Sequence, residues 1–136
     1  MINKYEAGTF VLRIVLGISF FIHGLAKFQA GITNTAGWFE SIGLPGFLAY
    51  LVAGGELVGG IALIIGLLSR IVSLLLAVIM ISAIVTVKLS AGFLNGFELE
   101  VAYFVMAVSI AITGSRAFAI DALLFKEKEE TSSFDV

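Results

Sequence analysis

The sequence predicts an all-α fold, an integral membrane bundle of four antiparallel helices, and three observations carry that prediction. Of its 136 residues, 60% are hydrophobic and only 13% are charged, with a mean hydropathy of +1.10. A soluble domain of this length has too small an interior to hide so much apolar surface. The apolar residues also come in blocks, and a helix needs about 20 such residues to cross a bilayer. Finally, the cations fall at alternate block ends: Lys4, Arg70, Arg116, Lys126 and Lys128 on one side, Lys27 and Lys88 on the other. The positive-inside rule then makes this a multi-pass protein of the cell membrane with both termini cytoplasmic.

The first span covers about residues 7–28 and contains Arg13, His23 and Lys27. Its apolar stretch is too long and too interrupted for a cleaved signal peptide. The second covers about residues 45–68, with Pro45 suited to a first helical turn and Glu56 as its only charge before Arg70. The third, about residues 71–88, is uncharged until Lys88 and reads as a lipid-facing helix. In the fourth, residues 101–114 supply only 14 uncharged positions, fewer than a crossing requires. That helix is therefore expected to run from about 97 to 115, which draws Glu98 and Glu100 into the interface.

Between the first two spans, residues 34–42 (NTAGWFESI) are expected to form a short interfacial helix with Trp38 and Phe39 at headgroup depth. After the fourth span, RAFAIDALLF reads as amphipathic and residues 126–136 as an acidic cytoplasmic tail. The length allows one domain, residues 1–125.

Composition also excludes. With no cysteine, disulfides, thiol relays, thiolate metal sites and iron–sulfur clusters are absent. One histidine leaves no bis-histidine haem or three-histidine zinc site within a chain, so no metal ligands are assigned and no covalently bound cofactor is expected. A net charge of -2 provides no footprint for nucleic acid. The fingerprints GxSxG and HExxH, the Walker loop and the dinucleotide motif are all missing.

Depth brings the remaining polar residues together. His23 and Lys27 lie one turn apart in the outer half of the first span, Lys88 ends the third on the same side, and Asn95, Glu98, Glu100 and Tyr103 follow there. Glu56 lies about 11 residues below the outer start of the second span, near the midplane at 1.5 Å per residue. Ionisable groups are expensive in lipid and face a partner, the bundle interior or a water-filled cavity, so one outer-half pocket with Glu56 as its floor is expected.

Plainer roles stand beside these. His23 is readable as an interior histidine, Lys27 and Lys88 as snorkelling to the outer headgroups, Arg13 as snorkelling to the cytoplasmic headgroups or pairing across helices, Glu98 and Glu100 as helix-start acids, and Tyr103 as an interfacial aromatic. Glu56 is too short to snorkel from the midplane and must find a proton, a cation or a ligand. Arg13, Gly17, Phe20, Gly24 and Lys27 follow a 4-3-4-3 spacing along one face, and Gly55 and Gly59 repeat the small-xxx-small pattern beside Glu56. These glycines are expected to serve helix packing.

A lipid-embedded pocket with these groups and phenylalanine-rich walls suits a planar amphiphile such as a quinone or catechol. Quinone reduction couples electrons to protons, which His23, Glu56 or Tyr103 would exchange while Lys27 or Lys88 polarises a ring oxygen. Glu56, His23 and Lys27 are the catalytic candidates; Arg13, Lys88, Glu98, Glu100 and Tyr103 are the substrate-binding ones.

Arg13, Gly17, Gly24 and Lys27 in the pattern R-x3-G-x6-G-x2-K, followed by GGELVGG around Glu56, resemble the DoxX family of small four-helix membrane proteins. The phrases FFIHGLAKF and NTAGWFESIGLPGF are particularly similar to its branch classed as oxidoreductases and associated with catechol and quinone stress in Firmicutes. The resemblance runs from about Tyr5 to Phe125. It implies a small aromatic or menaquinone-like quinone ligand, as substrate or bound molecule, and a soluble oxidoreductase partner. Two other readings stay open: a proton-coupled exporter of toxic aromatics, and a non-catalytic membrane anchor for a soluble oxidoreductase. Homo-oligomers through the glycine faces are compatible with each.

Overall fold

A computed structural model describes residues 2–124; the predicted acidic tail over 126–136 lies outside them. Among the described residues every regular element is helical. Four helices are long and apolar enough to cross a membrane: Lys4–Gln29, Phe47–Ile65, Ser69–Ala91 and Phe93–Thr113. The chain is a multi-pass membrane protein, and its environment is the lipid bilayer.

Helix α1 (Lys4–Gln29) begins where Asn3 and Glu6 cap each other reciprocally. The Glu6 amide donates to Asn3 Oδ1 at 2.8 Å and the Asn3 amide to Glu6 Oε2 at 3.3 Å, so the helix starts ahead of the apolar block. Helix α2 (Ile32–Ser41) is the short element between the first two spans; it follows Gly31 at φ +94° and precedes Gly43 at φ +87°. Helix α3 (Phe47–Ile65) ends at Gly66, whose left-handed φ of +73° lets the Leu67 amide turn back onto the Ala62 carbonyl at 2.8 Å.

Helix α4 (Ser69–Ala83) does not stop at its last α-helical residue. It widens into a π turn over Ile84–Lys88 and then tightens into a 3-10 turn over Leu89–Ala91. The chain returns through Phe93–Phe97, broken by non-helical Leu94 and Asn95, into α5 (Glu98–Thr113). A short α6 (Ile120–Leu124) follows.

The spans pack in the cyclic order α1, α3, α4, α5, with α1 on α3 and α4 on α5 as the closest pairs. A Cβ added to Gly24 would stand 2.6 Å from the Leu57 backbone nitrogen, and one on Gly60 would stand 2.5 Å from that of Phe21. These two helices therefore meet backbone to backbone, the small-residue mode of membrane helix association. Gly17 also faces this seam, 2.9 Å from the Gly60 carbonyl by the same measure, whereas Gly59 faces Leu76 and Val72 of α4 and Gly55 faces Ile79. The core lies between all four spans and includes Leu16, Phe20, Leu63, Leu76, Met80 and Ile110. Outward faces such as Val11, Val15, Leu74, Leu75 and Val105 stay exposed, as helices bathed in lipid require.

At one end of the bundle, α6 folds back as a clasp. The Asp121 carboxylate accepts from the Leu68 amide at 2.7 Å and the Ser69 amide at 3.0 Å, capping the first turn of α4. Arg13 is fully buried beneath it, donating from one guanidinium nitrogen to the Ser115 carbonyl at 3.0 Å and from the other to the Phe118 carbonyl at 3.3 Å. The Phe10 ring lies 5.2 Å from its guanidinium carbon.

Candidate functional site

The opposite end, where α2 sits, holds a cavity of about 580 Å³. All four spans and α2 line it, so it belongs to the assembled bundle rather than to any one helix. Its walls are largely aliphatic and aromatic: Phe20 from α1, Trp38 and Phe39 from α2, Leu48 and Val52 from α3, and Ile79 from α4.

Two ion pairs and one polar contact are set into that wall. Lys27 Nζ lies 2.6 Å from Glu56 Oε2, with the Glu56 side chain only 4% exposed. The antiparallel packing explains this meeting. Lys27 ends the α1 stripe that runs through Gly17 and Gly24, and Glu56 lies in an α3 stripe of Ala49, Ala53, Glu56, Gly60 and Leu63 with the same 4-3-4-3 spacing. Small residues bring the backbones close, and the two charges at matching depth neutralise one another. Lys88, at the end of the π turn, lies 3.3 Å from Glu100 Oε1 in the first turn of α5. Glu100 Oε2 is buried and has no hydrogen-bond partner.

His23 and Tyr103 form the third polar unit. The Tyr103 hydroxyl is 3.5 Å from His23 Nε2, the rings meet edge on at 5.8 Å, and Phe20 flanks Tyr103 at 5.5 Å. Which partner donates depends on the imidazole tautomer. Chemically the cavity thus offers an apolar slot, a neutralised ion pair deep in it, a second pair at α4 and α5, and an imidazole–phenol couple able to pass a proton.

The structure gathers His23, Lys27, Glu56, Lys88, Glu100 and Tyr103 around one cavity. It does not bring Arg13 or Glu98 there. Arg13 lies at the clasp, where backbone carbonyls accept its donors, and Glu98 is exposed at the first residue of α5. Neither lines the cavity. Sequence reasoning placed Trp38 and Phe39 at headgroup depth, but they line the cavity as well. It also overlooked Ser82 and Thr86, lining residues on the 78-82-86 face that runs from α4 into the π turn, and Gly60, whose place in the α3 stripe of small residues was the available signal.

Comparison with known proteins agrees with this architecture. Residues 8–89 match the DoxX family. Over 129 residues the chain is 46% identical to "Putative oxidoreductase CatD" of Bacillus subtilis (strain 168), covering 95% of this chain and 96% of that protein. Over 127 residues it is 31% identical to "Inner membrane protein YqjF" of Escherichia coli (strain K12), covering 90% of this chain and 95% of that one. No solved structure matches. The chain belongs to the DoxX family.

Proposed function

We propose that the protein binds a quinone, its hydroquinone or a catechol in the cavity at the α2 end, and takes part in its redox turnover with electrons supplied by a partner oxidoreductase. One observation carries the reading. An apolar slot of about 580 Å³, walled by Phe20, Trp38 and Phe39, has its ionisable groups confined to His23–Tyr103, Lys27–Glu56 and Lys88–Glu100. A planar ring stacks on the first set while its oxygens reach the second. Likeness to a protein named as an oxidoreductase over nearly the whole chain supports the same class.

In this reading His23 and Tyr103 exchange protons with a ring oxygen, and Lys27 favours the ionised oxygen of a reduced ring. Glu56 holds the lysine in place. A role in quinone or oxidative stress follows from the reactivity of such ligands. The cation distribution supports cytoplasmic termini, and with that orientation the cavity lies in the outer half of the bilayer.

Trp38 is the single tryptophan and lines the cavity, so its fluorescence reports occupancy. Titration of a short-chain menaquinone or a catechol into protein in lipid nanodiscs is expected to quench it saturably. Glu56→Gln and Lys27→Ala each weaken binding by roughly tenfold or more, since hydrogen bonds to charged groups contribute about 1.5–3 kcal/mol. Unchanged affinity in both variants rejects the cavity as the site. Accumulation of unaltered ligand in proteoliposomes under a pH gradient favours export instead.

A further inference from the structure

The wall of the cavity contributed by α4 and α5 carries oxygens with a shared property. Ser82 Oγ donates its proton to the Val78 carbonyl at 2.7 Å, and Thr86 Oγ1 donates its own to the Ser82 carbonyl at 2.7 Å. Both residues line the cavity and both are exposed. A hydroxyl has one proton, so with that proton committed each presents only lone pairs to whatever enters. Thr86 also stands inside the π turn Ile84–Lys88, and Thr86, Val87 and Lys88 of that turn all face the cavity. Such turns are rare, and they recur where a helix is adapted to a site.

Glu100 adds a third acceptor. Its Oε1 meets Lys88, while its buried Oε2 has no partner. A buried acceptor without a donor is destabilising. On the same wall the one cation, Lys88, directs its ammonium at the carboxylate. Ser82 and Thr86 thus present acceptor oxygens on a wall that also carries the Glu100 carboxylate, and that wall complements a molecule that brings O–H donors.

We infer that Ser82 and Thr86, with Glu100 lining the same cavity, determine specificity for the reduced, hydroxyl-bearing form of an aromatic ligand, a hydroquinone or catechol, over the corresponding quinone. The inference rests on the proposed ligand class and deepens it. A quinone has carbonyl oxygens, which accept only and face lone pairs on this wall; a hydroquinone has two O–H groups, each of which finds an acceptor. Discrimination is strongest where a mismatch leaves buried polar groups unpaired.

The test uses the full chain in nanodiscs under anaerobic conditions, with menadiol and menadione as the reduced and oxidised probes and Trp38 fluorescence as readout. The wild type is expected to bind menadiol more tightly. Ser82→Ala with Thr86→Val removes both hydroxyls, the second in exchange for a methyl group of similar size, and it is expected to weaken menadiol roughly tenfold while changing menadione less than twofold. Glu100→Gln, which exchanges an acceptor oxygen for an amide, is expected to narrow the preference in the same direction. If the wild type binds both probes and the double variant shifts them equally or not at all, the specificity role is overturned while the ligand class stands. If the wild type binds neither probe, the ligand class fails and the specificity role falls with it.

Discussion

In the run GGELVGG, neighbouring residues do different work because successive positions of a helix face different neighbours. Gly54 has nothing within 4 Å of an added Cβ, Gly59 lies against Leu76 and Val72, and Gly60 would collide with backbone at 2.5 Å. Glu56 between them is buried and paired with Lys27. Replacing Gly24 or Gly60 by alanine forces α1 from α3, because the atoms in the way are backbone and cannot swing aside. We expect a loss of about 1–3 kcal/mol for Gly24→Ala, read as a lowered thermal midpoint in detergent. Gly54→Ala is expected to be neutral or stabilising by up to about 1 kcal/mol, since alanine is the better helix former and meets nothing. Equal midpoints for the two variants would remove the close α1–α3 seam.

Among the elements, the clasp over α3 and α4 can be tested without touching the cavity. Asp121→Ala strips two amides at the start of α4 of their acceptor, at a cost of about 1 kcal/mol or somewhat more. Faster hydrogen exchange at Leu68 and Ser69 is the expected signature, with Trp38 quenching by ligand unchanged because the cavity lies at the other end. This contact was hidden in the sequence, where RAFAIDALLF showed only amphipathic spacing. A capping residue more than 50 positions from the helix it caps leaves no local pattern. The spans themselves were legible, because apolar block length is a local quantity that the bilayer turns directly into helices. Depth was legible for the same reason, and it brought Glu56, Lys27 and His23 to comparable levels. What depth cannot give is the direction in which a side chain points around its helix. Glu98 is only two residues from Glu100 yet stays outside, whereas Arg13 shares a face with Lys27 and is separated from the cavity by depth, at the far end of the bundle beneath α6. The π turn that presents Thr86 was equally invisible, since Ile84–Lys88 reads as ordinary apolar helix.

For the whole molecule, the arrangement divides into an end tied by hydrogen bonds and a receptive end. Arg13, Ser115, Phe118 and Asp121 tie one end together through backbone carbonyls and amides. The other is bounded by α2, which buries none of its residues and hangs between two glycines of positive φ. The receptive end is proposed to face outward. Because the chain has no cysteine, single substitutions report orientation cleanly. With a membrane-impermeant maleimide on intact cells, Ser90→Cys beside the π turn is expected to label and Lys4→Cys to stay protected until the membrane is permeabilised. The reverse pattern would place the cavity on the cytoplasmic side.

Arg13 also sets a condition on how the protein is made. Its Ser115 and Phe118 acceptors are 102 and 105 residues downstream, so the charge enters the bilayer long before its acceptors are synthesised. Until the last span has been inserted, the guanidinium must be held by water or headgroups, a costly state for a cation in a membrane segment. Meeting those acceptors fixes the first helix against the segment that follows the last span. A chain that stalls before Ser115 carries an unmet charge within its first span, so a single buried cation makes the finished bundle conditional on complete translation.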